Sequence, residues 1–339
     1  MRAFLLSIFA AAGLLTVTPT PAALLLFRSY VGAYDLSSDG CGSVTQACTL
    51  RVNAPAGGAS VVGAFLYTST NGAFAPVGNT FFGGTFSGER VTYTNIGASA
   101  TNPNLTTGRA DVTSIVQTAI GNTSGVFSFG VNETLNAQGV DIQNGEALVV
   151  VFMLPSGATR TIGILDGVSS ASGDTASIAF ADPLDTSAPG FAAEMRIGVG
   201  HSFDGADQNN PNSANQISQI TVNGSTSLTN AAGHCDDARD SACTNGNLIT
   251  MGGDNDLFTP FNPTVGQDHE RYNLLPAIAQ GAHAITINTR NLSSDDIVFL
   301  ETFKVTGNGV INGVPEPTPL ALIGAGLCAV VLLRRRLPG

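Results

Sequence analysis

Tryptophan is absent from the 339 residues, and Lys and Arg together number 14 against 25 Asp and Glu. That shortage of positive charge, with a formal net charge of -11, removes the attraction to phosphate on which nucleic-acid affinity depends. A nucleic-acid partner is therefore not expected. Charged residues make up only 12% of the chain, but at 43% hydrophobic it is no candidate for disorder. There are four His, no G-x-S-x-G elbow for a serine nucleophile, and no Gly-rich loop flanked by Lys-Ser or Lys-Thr to cradle a phosphate. Hydrolase-elbow and nucleotide chemistry thus lack their residues. The missing Trp also counts against a sugar-processing cleft, which usually stacks rings on aromatic side chains.

What is abundant is Gly, at 40 residues, with short apolar runs separated by Gly, Asn, Ser and Pro clusters. This rhythm predicts an all-β body over residues 24–306, sandwich-like or jelly-roll-like, with strands at 59–68, 90–96, 126–131, 147–154, 159–165, 176–180, 195–199, 217–222, 284–289 and 297–305. The continuous apolar run 148–152 reads as a central strand. One short helix is expected, with Asp111 as N-cap, Val112, Ile115, Val116, Ala119 and Ile120 on its apolar face, and Gly121 as its stop. The body reads either as one elaborate sandwich or as two with a break near 201–215. The Gly and Asn-rich residues 307–313 read as a flexible tether.

Both ends carry processing signals. Residues 1–23 begin with Arg2, continue through an apolar run and finish in the small and Pro-rich segment 18–23, the layout of a secretory signal peptide cleaved after Ala22 or Ala23. Such a segment engages the Sec translocon and signal peptidase. Residues 318–333 form an uncharged apolar stretch, short for a membrane span, followed by Arg334, Arg335 and Arg336, which would stay cytoplasmic by the positive-inside rule. With a cleaved signal in front, the body then lies outside the cytoplasm.

The order Val314-Pro315-Glu316-Pro317, short apolar helix and arginine cluster resembles the PEP-CTERM sorting signal of exopolysaccharide-producing Gram-negative bacteria. Pro315, Glu316 and Pro317 match its tripeptide, residues 320–333 its helix, and Arg334, Arg335 and Arg336 its basic end. The resemblance spans 314–339 and implies a membrane-embedded exosortase as processing partner, an inner-membrane intermediate, and delivery to the cell surface or extracellular matrix. It implies nothing about the body.

Cysteine usage agrees with an oxidising compartment. Cys41, Cys48, Cys235 and Cys243 fall into two local pairs, so Cys41–Cys48 and Cys235–Cys243 are the expected disulfides, although four cysteines permit three connectivities. A metal site using His234, Cys235 and Cys243 is the competing reading. Acidic residues cluster in loops, and hard oxygen ligands outside the cell suit calcium, for which Asp254, Asp256, Asp268 and Asp296 are the candidates. The same residues are also ordinary turn formers. His269, flanked by Asp268 and Glu270, reads as exposed. Trimming both ends leaves 10 basic against 24 acidic residues, a body near -14. This composition points to a non-catalytic adhesion or glycan and matrix-contact module, with exopolysaccharide as its partner. The alternative is a secreted carbohydrate-active hydrolase using two loop carboxylates.

Overall fold

The structure, a computed structural model, describes residues 23–42, 47–71, 80–100, 102–134, 143–170, 172–201, 218–229, 249–261, 269–291 and 297–315. Among them the chain is all-β, with antiparallel strands in three sheets and one α-helix.

The first unit contains β2 (Tyr34–Gly42), β3 (Ala47–Ala54), β4 (Ser60–Asn71), β5 (Thr80–Phe86), β6 (Glu89–Ala98), β7 (Leu105–Asp111), α1 (Thr113–Ile120), β8 (Gly125–Glu133) and β9 (Gln143–Met153); β1 (Leu24–Gly32) precedes it. Its eight strands run β2-β9-β4-β7-β6-β5-β8-β3. The pairs β2 with β9, β3 with β8, β4 with β7, and β5 with β6 nest inside one another, the pairing of a long hairpin wound into a jelly roll. Inward-facing Leu50, Val52, Leu66, Phe86, Tyr93, Phe129, Leu148 and Val150 fill it. Phe86 and Phe129 stack with ring centroids 5.2 Å apart.

The two end strands, β2 and β3, meet at a seam closed by side chains rather than a backbone ladder. The Arg51 N–H donates to Asp39 Oδ2 at 2.5 Å and the Asn53 N–H to Ser37 Oγ at 2.9 Å, while the Cys41–Cys48 disulfide crosses the same seam. Helix α1 packs on β4 and closes one end with Val116 and Ile120. Its N-cap is Val112, one residue later than expected. Asp111 still serves the helix start, because its Oδ1 accepts the Thr113 N–H at 2.9 Å. Gly121, with φ 57°, ends the helix as expected.

The second unit contains β10 (Arg160–Gly167), β11 (Asp174–Phe180), β12 (Ala193–Gly200), β13 (Ser218–Val222), β14 (Thr226–Thr229), β15 (Ile249–Met251), β16 (Arg271–Asn273), β17 (Ala284–Asn291), β18 (Ile297–Thr306) and β19 (Gly309–Pro315). One sheet runs β1-β10-β18-β12-β15, with β16 also on β12, and the other β14-β13-β17-β11-β19. Met195, Ile197, Phe303 and Val305 of the first sheet pack on Ile178, Ile220, Ile285 and Ile287 of the second. The opposite face of the β10–β18–β12 sheet packs on the jelly roll through Ile162, Ile164 and Phe299 against Tyr67, Val149 and Val151. Residues 147–152 of β9 are therefore buried on both faces, as their apolar run requires.

Two boundaries differ from the sequence reading. The division between units falls at 154–159 rather than near 201–215, because β12 and β18 pair within one sheet on either side of that segment. Residues 309–315 are a paired strand, not a tether: β19 runs antiparallel to β11 from Phe180↔Gly309 to Asp174↔Pro315. Ile311 anchors it, buried where Gly163 leaves room; a Cβ at 163 would lie 2.2 Å from Ile311 Cδ1. Leu24 pairs with Gly167 and Pro315 with Asp174, so both ends of the body emerge where β10 passes to β11. The signal segment to residue 22 and residues 316–339 lie outside the described residues. Among the described residues no helix is long and apolar enough to cross a membrane.

Candidate functional site

A cleft of about 530 Å³ opens between the units. Its lining comes from Asp35 and Leu36 on β2, the 53–56 turn after β3, Ser124 and Gly125 after α1, Arg196 on β12, Asp254, Arg271 on β16 and Lys304 on β18. Alternation in the strands sets this up. On β12, Met195, Ile197 and Val199 face the second unit's core, which turns Glu194 and Arg196 to the opposite side, towards β2. Phe303 and Val305 do the same for Lys304 on β18.

Arg196, only 1% exposed, is held by three partners: its Nη2 lies 2.6 Å from Glu194 Oε1 and 2.7 Å from Asp254 Oδ1, and its Nη1 donates to Ser38 Oγ at 2.8 Å. Arg271 donates from Nε to Glu194 Oε1 at 2.8 Å and from Nη1 to the Asp254 and Asp256 carbonyls at 3.1 and 2.8 Å. Lys304 Nζ reaches Asp35 Oδ1 at 3.1 Å and Glu194 Oε2 at 3.6 Å, and Arg160 Nη1 reaches Asp35 Oδ2 at 3.0 Å. Gly252 lets the Asp254 loop close over this network, since a Cβ there would lie 2.3 Å from the Glu270 carbonyl oxygen.

The network fixes the charge states. Burial pushes the Glu194 carboxyl up, but Arg196, Lys304 and Arg271 outweigh it and hold it down at about 2. Burial likewise opposes ionisation of Asp35, and Lys304, the Leu36 N–H and Arg160 together keep it below the usual carboxylate range. Arg196 is pushed down by burial and more than restored by Glu194 and Asp254, which raise it. Every charged group in the cleft whose titration is displaced is thereby locked in its ionised form.

The sequence-derived candidates are distributed unevenly. Asp254 sits at the cleft, paired with Arg196 and accepting the Ser37 hydroxyl at 2.5 Å. Asp256 is buried, and its Oδ2 accepts the Gly253 N–H at 2.5 Å. Asp268 and Asp296 lie outside the described residues. Asp254 and Asp256 share no ligand cluster: among the described residues, the group of three His, Cys, Asp or Glu side chains close enough for a metal is Cys41, Cys48 and Glu146. Two of those three are joined, Cys41 and Cys48 forming the expected disulfide with an S–S distance of 2.01 Å. Cys235 and Cys243 lie outside the described residues. Pro315 is the last residue of β19, with Glu316, Pro317, Arg334, Arg335 and Arg336 beyond the described residues. His269 is buried rather than exposed. It follows Thr259 into the interior, whose hydroxyl oxygen accepts its N–H at 2.8 Å.

Glu194, Arg196, Arg271 and Lys304 carry the site and were not singled out from the sequence. Their signal was faint: isolated charges at alternate strand positions look solvent-facing unless both faces of the sheet are known to be covered. No protein-family model and no curated protein matches this chain.

Proposed function

We propose that this is an exported protein, passed through the Sec translocon, trimmed by signal peptidase and held in the inner membrane by residues 318–333. An exosortase then processes it at Pro315-Glu316-Pro317, and the body serves at the cell surface or in the extracellular matrix as a non-catalytic contact module for exopolysaccharide. The observation that carries the sorting half is the order of tripeptide, apolar stretch and arginine cluster, starting where β19 ends. Pro315 is paired to Asp174 at the end of β19, and in the sequence the two prolines around Glu316 disfavour helix at the processing motif.

The non-catalytic half is supported by the cleft's charge states. A glycoside hydrolase of the two-carboxyl type needs one carboxyl that holds its proton near neutral pH beside one that does not. Glu194 and Asp35 are both driven to the ionised form by their cations. Glu301, pushed up to about 7 by burial, is 2% exposed and faces the core of the second unit, away from the cleft. This favours holding a ligand over cleaving one.

The test is a comparison of wild type with Glu316→Ala in the native host, by fractionation into membrane and culture supernatant. Retention of the variant in the membrane with release of wild type is expected. Equal release of both would sink the sorting route.

A further inference from the structure

We propose that the cleft between the two units binds a carboxylated sugar unit of a glycan. This rests on the contact role above and names the ligand class and the residues that take it. Only ten Lys and Arg lie between residues 24 and 315 of a strongly acidic chain. Three of them, Arg196, Arg271 and Lys304, line the cleft with two carboxylates, Asp35 and Asp254, while Arg160 and Glu194 behind them balance each other. One positive charge is in excess. The adjoining hollow of about 150 Å³, which shares Asn53 and Asp254 with the cleft, contains Arg51. Arg51 does not line the cleft itself; its main-chain N–H donates to Asp39 Oδ2. Asp256 turns its carboxylate to the Gly253 amide and does not line the cleft.

A volume of about 530 Å³ is that of a small-ligand site and suits one or two sugar rings. The ligand must satisfy groups of both signs at once. Asp35 and Asp254, each about a fifth to a quarter exposed at the side chain, offer acceptor oxygens to hydroxyl hydrogens. Lys304 and Arg271, 16% and 17% exposed, offer donors to a carboxylate. A sugar acid brings hydroxyls and one carboxylate together. An acidic peptide would bring carboxylates to Asp35 and Asp254 with no hydroxyls to bond them.

The rim supplies the remaining requirement, an apolar face for a sugar ring. Phe258, 45% exposed, packs on the cleft residue Arg271, whose guanidinium lies 4.6 Å from its ring centroid. Phe258 fixes Arg271 from one side and offers the rest of its surface to the C–H face of a pyranose. The excess cation thus selects the carboxylate, the part-exposed acids select hydroxyls, and the aromatic rim selects the ring.

The experiment is calorimetric titration of the full chain in detergent with digalacturonic acid, its dimethyl ester and triglutamate. The acid is expected to bind about tenfold more tightly than the ester, which lacks the charge-assisted bonds, and to weaken with added salt. Lys304→Gln is expected to reduce acid binding by about tenfold while leaving ester binding unchanged. Phe258→Ala, on an exposed loop where folding is not at stake, is expected to weaken acid and ester alike. Equal binding of acid and ester overturns the charge selection. Triglutamate binding as tightly as the disaccharide overturns the sugar assignment, and no binding by any probe overturns the site. None of these outcomes alters the membrane release of wild type against Glu316→Ala, so failure of the sorting route is read separately.

Discussion

Replacing Glu301 by Gln tests the electrostatics of the interior most sharply. Glu301 projects from β18 into the second unit's core, 2% exposed. It accepts the Thr289 hydroxyl from β17, with Asp174 on β11 adding negative charge nearby. Burial is the largest influence and Asp174 reinforces it; the Thr289 hydrogen bond offsets them only in part, so the carboxyl is raised from its ordinary 4.5 to about 7. A tenfold change in a proton equilibrium is worth about 1.4 kcal/mol, so ionising Glu301 costs roughly 3 kcal/mol more in the folded protein than in the unfolded chain. Because the folded value lies above the unfolded one, this contribution to stability is fully present below about pH 4.5 and is lost as pH rises through 7. Gln keeps an acceptor for Thr289 and carries no charge. Urea unfolding of wild type and Glu301→Gln across pH 5 to 9 should show the variant gaining on wild type by up to about 3 kcal/mol at the alkaline end. Parallel stability curves for the two proteins would refute the reasoning.

Glu194 behaves in the opposite sense: its folded value of about 2 lies below its ordinary 4.5, so its contribution is present above 4.5 and lost as pH falls towards 2. Glu194→Gln is expected to flatten that acid limb in chemical unfolding and, by stranding Arg196, Arg271 and Lys304, to cost about 3–5 kcal/mol at neutral pH. The Cys41–Cys48 bridge closes a loop of sequence separation 7 across the β2–β3 seam. Replacing both cysteines by Ala should lower the stability of the oxidised protein by about 2–3 kcal/mol, read from the urea midpoint, whereas an unchanged midpoint would deny the bridge a structural role. Gly163→Val should drive Ile311 out of its slot and loosen β19, seen as faster proteolysis between β18 and Pro315 and a loss of about 1–3 kcal/mol; unchanged proteolysis would contradict the packing of β19 on β10.

Apolar runs were the legible part of the fold. All ten predicted strands are present, because an unbroken apolar run such as 148–152 and an alternating one such as 284–289 each show in the sequence which faces are buried. Strand β2 was invisible because Tyr34–Gly42 is polar, and its Ser37, Ser38 and Asp39 are buried through bonds to β3, Arg196 and the Gly252 carbonyl. Those partners are more than ten residues away in the chain. Strand β19 was mistaken for a tether because its Gly and Asn content hides one anchoring side chain, Ile311, whose slot is made by a glycine on another strand. The cleft was hidden for a similar reason. Glu194, Arg196 and Lys304 occupy the positions that a two-layer sandwich gives to solvent, and only the packing of a second unit on that face turns them inward. The Asp254 loop was read as acidic, which is correct, but its neighbour is a guanidinium that lies 58 residues earlier in the sequence.

The central claim is that this chain is exported and trimmed at both ends, and intact-mass analysis of the protein isolated from its native host tests it most directly. The account predicts a mass lacking residues 1–22 or 1–23 and lacking the apolar stretch and arginines after Pro315-Glu316-Pro317. A wild-type mass that still includes residues 318–339 would contradict it.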